Sequence, residues 1–245
     1  MLFQFVGSYS KKDKKIFKSA QRQDLKIILA YLKTPLQDAK NIKFEVFDTR
    51  EGKQNADPNH SISRASARFA EMTIYRYWEP KDDPHFPHEI THLVAHTWTK
   101  PYKWRVELDT WDDKKIVKTV EMVSTSFMQE GLAIAVDDII FKRKLLEERE
   151  YKFIDDWCRE QIDNMPTIKE VINLNGFGSF DNKLVVPFSA SLSKYLLQKY
   201  GLSEYKKMYT SIKETNSAIK NVEILERLFG INKKELLADW RSSIS

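Results

Sequence analysis

Apolar side chains recur at three- and four-residue spacing through Ile16, Phe17, Leu25, Ile28, Leu29 and Leu32, and the run stops near Pro35. That period lays one face of a helix against a core over residues 14–33. The pattern then changes. KFEVFD (43–48) alternates apolar and polar positions, the period of a half-buried strand, while EMTIYRYW (71–78) is β-branched and aromatic and predicts a second. TREGKQNADPNHSI (49–62) is polar, contains Gly and Asp-Pro, and reads as a loop. EPKDDPHFP breaks the chain before a helix expected from about 87 to 97, with Pro87 in the first turn, where a missing N–H costs nothing. KWRVEL (103–108) and IVKTVEMV (116–123) read as strands of a hairpin about TWDDKK.

From residue 125 onward the period is helical, in segments near 126–147, 187–200, 203–213, 221–229 and 233–243. Gly201 and Gly230 stand where C-terminal caps belong. Strands first and helices afterwards indicate an α+β fold. We expect a single domain over 1–245, with a small N-terminal mixed-sheet lobe and a central helix in 1–100, and a mainly helical lobe in 101–245.

Composition narrows the function classes. With 42% hydrophobic and 12% aromatic residues, the chain is that of a globular protein. A net charge of +5 is modest, and basic and acidic residues are interspersed, so a nucleic-acid partner is not expected. The densest basic stretch, KKDKKIFK (11–18), reads as a solvated helix face. No apolar run approaches the ~18 residues of a membrane span. In the opening MLFQFVG the charges follow the apolar residues instead of preceding them, so no signal peptide is visible. That fits a cytoplasmic protein or an exported one with its signal removed. The lone Cys158 excludes a disulfide within the chain and reads as a small buried hydrophobe.

The chemistry concentrates in HFPHEITHLVAH (85–96), which holds four of the five histidines. His88 and His92 are four apart, hence on one helix face, and two imidazoles at that spacing can converge on one ion. Glu89, beside the first of them, points to the side of that ion, where it can hold and deprotonate a water. His96 lies two turns beyond His88, ~12 Å along the axis, too far to join both. No histidine follows it, so a third ligand from downstream must be a carboxylate. Glu130 stands in an apolar helical run (Phe127, Met128, Leu132, Ala133, Val136), where a charge is costly unless paired or bound to a metal. Gly131 beside it lets another backbone approach. His85 and His96 read as surface or packed histidines, and His60, in the polar loop, has no assigned role.

HEITH followed, after 37 intervening residues, by Glu130 in QEGLA resembles the gluzincin metallopeptidases, and among them the peptidase MA-like group. A metzincin would have Gly where Ala95 stands and His where Trp98 stands. EMTIYRYW resembles the edge strand that precedes the active helix, and FSASLSKYLLQKYG (188–201) and FGINKKELLADWRSSI (229–244) resemble later helices of the group. The resemblance implies a zincin, thermolysin-like fold, Zn2+ held by His88, His92 and Glu130, and Glu89 as general base. It implies hydrolysis of a peptide or protein substrate, paired along the strand at 71–78. Asp137 matches an acidic position of the group and reads equally as a solvated helix residue. The tyrosine that the group often places before the small-residue helix falls near Val186; Tyr195 and Tyr200 are the available substitutes. A fold of this kind that binds peptides without cutting them is the alternative.

Overall fold

The computed structural model describes residues 1–58, 63–109, 115–147 and 150–245. Contacts divide the chain into two units, Met1–Trp98 and Thr99–Ser245. The architecture is mixed α and β, with a small mixed sheet.

In the first unit the opening residues form a strand, β1 (Leu2–Val6). Helix α1 (Lys11–Tyr31) follows, started by a capping box in which Ser10 accepts from the Asp13 backbone and the Asp13 carboxylate accepts from that of Ser10. Phe17, Leu25, Ile28 and Leu29 of the predicted stripe are buried, together with Gln21 and Asp24, while Ile16 is exposed. Then come β2 (Lys43–Phe47), α2 (Arg50–Ala56), β3 (Ala65–Arg68), β4 (Thr73–Tyr77) and α3 (Pro87–His96). The sheet runs β1-β2-β4-β3, with β1, β2 and β4 parallel and β3 antiparallel to β4. Phe17 fills the space between helix and sheet, with ring centroids 5.8 Å from Phe44 and 5.0 Å from Trp78. Burying such a ring contributes about 1.5–3 kcal/mol.

Three expectations change here. Part of the predicted loop 49–62 is helix α2, capped where Thr49 accepts from the Gly52 backbone; a seven-residue helix with one buried side chain, Lys53, has no apolar period to betray it. Residues 59–62, with His60, lie outside the described residues. Strand β3 was not anticipated, because ASAR is too short and too small to carry a strand signal. Its presence moves the edge of the sheet: β4, expected as an edge strand, is paired on both sides, by β2 and by β3. The edges are β1 and β3.

The second unit opens with the predicted hairpin, β5 (Tyr102–Asp109) antiparallel to β6 (Lys115–Met122). Its turn, residues 110–114, lies outside the described residues. Helix α4 (Ser126–Phe141) ends earlier than the expected 147, because Lys142 takes the left-handed conformation (φ 52°) and turns the chain into the small hairpin β7 (Leu145–Glu147) and β8 (Glu150–Lys152). Short helices α5 (Ile154–Glu160), α6 (Ile168–Val171) and α7 (Leu174–Phe177) lead to α8 (Asn182–Ser211). Gly201 (φ 79°, ψ 166°) is non-helical and interrupts α8, so two helices meet at a kink there, where the sequence placed a helix end. Helix α9 (Ala218–Phe229) does end at Gly230, in the left-handed conformation, before α10 (Lys233–Ile244). Helix α4 packs along α8, and Phe188 joins Phe127 (5.6 Å) to Trp240 (5.0 Å) in the core. Cys158 is fully buried, and burial pushes its thiol far above the ordinary range. No described helix is long and apolar enough to cross a membrane.

Candidate metal centre

Helix α3 is fixed at its start by a carboxylate from α1. Asp24, fully buried, accepts from the Phe86 backbone N–H at 2.9 Å, and its other oxygen lies 2.7 Å from His85 Nδ1. Gln21, one turn earlier, donates to the Pro84 carbonyl. Phe86 is the N-cap residue and offers no side-chain cap, so Asp24 takes over the work of satisfying an N-terminal donor. His85 thus belongs to the anchorage of the helix. Ile90, Leu93 and Val94 are wholly buried and fix the helix about its axis.

That setting brings His88 and His92 together. Their ring centroids are 4.7 Å apart and nearly perpendicular (85°), and the two Nε2 atoms are 3.0 Å apart. Two nitrogens on one tetrahedral zinc at ~2.0–2.1 Å would stand ~3.3 Å apart, so the pair is close to ligand geometry. His92 is 6% exposed and meets the Phe69 ring edge-on at 6.2 Å. His96 stacks flat on the same ring, at 4.9 Å and 6°, which makes it a packed histidine.

One donor atom each of His88, His92 and Glu130 lies within 4.8 Å of the other two, a group that can hold a metal ion. Two imidazoles and a carboxylate form a set that suits zinc and leaves a fourth tetrahedral position open. Glu130 is half-buried on the first turns of α4. Its neighbour Gly131 faces α8 so closely that a Cβ there would lie 2.5 Å from the Ser189 carbonyl oxygen and 2.5 Å from Ser193 Oγ. The glycine is therefore what lets α8 pass beside the Glu130 turn. Tyr209, on the second half of α8, is completely buried, and burial holds its phenol well above the ordinary range; the charges of Tyr205 and then Glu130 add to the effect. Tyr205, one turn earlier, donates to Ser193 Oγ at 3.0 Å.

Glu89 sits half-buried next to His88. Within reach of its field is Lys53 of α2, 1% exposed. Burial pulls the Lys53 ammonium below its ordinary range, while the carboxylates of Asp57 and Glu89 act the other way. Asp57 is also buried, 3.7 Å from Lys53, and accepts from Arg68 Nη2 at 2.7 Å and from Ser66. Lys53, Asp24 and Tyr209 carry no signal at the level of sequence: each stands in a stretch whose neighbours are polar or periodic for reasons of packing alone.

The tyrosines named as substitutes are engaged elsewhere. The Tyr195 hydroxyl accepts from Lys199 Nζ at 2.8 Å, and Lys199 pairs with Asp239 at 2.6 Å. The Tyr200 ring packs on Phe229 at 4.4 Å. Asp137 is half-buried on α4, seven residues after Glu130. No protein-family model matches the chain, and no curated protein is similar to it in sequence.

Proposed function

We propose that the chain is a zinc-dependent metallopeptidase of the gluzincin type, with a thermolysin-like arrangement of its active helix. The single observation that carries this reading is the grouping of His88, His92 and Glu130, one donor atom of each within 4.8 Å of the other two, with Glu89 next in sequence to His88. When bound, zinc supplies a Lewis acid that activates water and polarises a peptide carbonyl. His88 and His92 would hold it through Nε2, and Glu130 through a carboxylate oxygen. The Glu89 carboxylate accepts the proton of the attacking water and delivers it to the leaving amine.

The substrate would lie along β3, not β4. Tyr77 N–H donates to the Arg64 carbonyl, which sets the antiparallel ladder so that Ser66 and Arg68 face β4 with their backbone groups and Ala65 and Ala67 turn theirs outward. An extended peptide can pair with those two residues.

The test is metal analysis and casein hydrolysis of the wild type beside Glu89→Gln. The expected result is about one zinc per chain in both proteins, with turnover lost in the variant. Full activity in Glu89→Gln would remove that residue from the mechanism, and absence of zinc from the wild type would remove the site. A second reading, a zinc-carrying fold that grips peptides without cutting them, is favoured by one observation: Tyr195 and Tyr200 are held by Lys199 and Phe229. Zinc bound with no cleavage of any peptide in a library would select it.

A further inference from the structure

The sheet edge at β1 carries two features that the proposed hydrolase does not use. The first is a free backbone edge. Leu2 N–H donates to the Ile42 carbonyl at 3.0 Å, and the Val6 carbonyl accepts from Asp48 N–H at 3.3 Å. In a parallel ladder this phase directs the polar groups of Leu2, Gln4 and Val6 to β2 and those of Phe3 and Phe5 outward. No described strand pairs on that side.

The second is a row of cations set over the same two residues. Lys14 Nζ stands 5.8 Å from the Phe5 ring centre, Lys18 Nζ 5.6 Å from Phe5 and 5.9 Å from Phe3, and Arg22 Cζ 5.7 Å from Phe3. With Lys11, Lys15 and Ser19 they line one groove. Among the described residues none of the three makes a salt bridge. Four residues along a helix advance ~6.0 Å. Two residues along a strand advance ~6.6–6.8 Å. Over three positions the two rows drift apart by little more than ~1 Å, which flexible lysine and arginine side chains absorb.

We propose that the outer edge of β1 is a docking site for an extended acidic peptide, added to the sheet as a fifth strand with alternate carboxylates against Lys14, Lys18 and Arg22. Main-chain bonds to Phe3 and Phe5 supply the register, and the cations select the charge. A second copy of the chain is a poor occupant, because pairing β1 with β1 brings two such rows together. A single-stranded nucleic acid finds no stacking platform, because the Phe3 ring is stacked on Phe44 (5.3 Å, 14°) and the Phe5 ring packs edge-on against Tyr9 and Phe17.

The probe is a fluorescein-labelled nonapeptide of glutamates alternating with threonine and valine, titrated with the full chain by fluorescence anisotropy. Two companions carry backbone N-methyl groups, one on every glutamate, the other on every intervening residue. A strand presents only one of these sets to its neighbour, so one methylated peptide should bind like the parent and the other should not bind. Lys14→Glu with Lys18→Glu and Arg22→Glu, none of them at a buried position, should weaken the parent peptide about tenfold or more while the far-ultraviolet circular dichroism is unchanged. Equal behaviour of the two methylated peptides overturns the proposal, as does unchanged affinity in the triple variant. An oligodeoxythymidine that binds as tightly as the peptide also overturns it, assigning the row to polyanions in general.

Discussion

Adding one methyl group at Gly131 tests whether α4 and α8 are in contact as closely as described. In Gly131→Ala the new Cβ would stand 2.5 Å from the Ser189 carbonyl oxygen and 2.5 Å from Ser193 Oγ. An ordinary carbon–oxygen contact is ~3.3–3.6 Å, so each is short by nearly 1 Å. Ser193 can rotate away only by giving up the hydrogen bond from the Tyr205 hydroxyl, 3.0 Å long and buried. The Ser189 oxygen is backbone within α8 and cannot rotate at all, so the helices must separate. Overpacking of this kind costs about 1–3 kcal/mol, and the lost hydrogen bond about 1 kcal/mol more. Against this, replacing glycine within a helix gains roughly 0.5–1 kcal/mol. The net expectation is a loss of about 1–3 kcal/mol, which for a chain of this size lowers the melting temperature by roughly 2–10 °C. Differential scanning calorimetry of the metal-free protein measures it. Adding Ser193→Ala should recover part of the loss, since it removes the side-chain clash and leaves the carbonyl one. A Gly131→Ala protein that melts at or above the wild-type temperature would show only the helix-propensity gain, and the close approach beside Glu130 would be wrong.

Removing a ligand should weaken zinc by more than about 100-fold in both His88→Ala and Glu130→Ala, since even partners of ligands cost 10–100-fold; competition with a chromophoric chelator reads this, and wild-type affinity in either variant excludes that residue from the site. Asp24→Ala leaves the Phe86 N–H and the His85 ring without their shared carboxylate. It should cost about 2–3 kcal/mol in urea unfolding, and a change under ~0.5 kcal/mol would mean that Asp24 does not anchor α3. The Cys158 thiol, buried and held protonated by its surroundings, should resist iodoacetamide at pH 8 until guanidinium unfolds the chain. Stoichiometric labelling of the native protein contradicts that burial.

The sequence patterns that proved legible were those repeated over many residues. The stripe of Phe17, Leu25, Ile28 and Leu29 marked α1, and the alternation of KFEVF marked β2, because each buries most of the apolar positions that it displays. What failed was short or non-local. Helix α2 buries Lys53 and nothing apolar among its side chains, and β3 is four small or polar residues held by Asp57 through Ser66 and Arg68. Neither has a period to read. The order β1-β2-β4-β3 depends on parallel pairings between segments some forty and thirty residues apart. No local signal specifies which strand takes the edge, and so β4 was assigned a place that belongs to β3.

The candidate site shows the same division within a few residues. The histidine pair could be read because its geometry is local: four residues on any α-helix bring two rings to one face, and here the rings stand 4.7 Å apart. What makes that pair a rigid donor set is not local. Asp24 reaches α3 from sixty-two positions before Phe86. Phe69, stacked on His96 and edge-on to His92, belongs to the turn after the strand that went unread. A ligand can be inferred from spacing, because spacing sets where its nitrogen points. Its supports answer only to the packing of distant segments, where any residue of suitable shape and charge will serve. For that reason Asp24→Ala is a sharper probe of the fold around the site than any change to the HEITH motif itself: it leaves every proposed ligand in place and removes only what holds their helix.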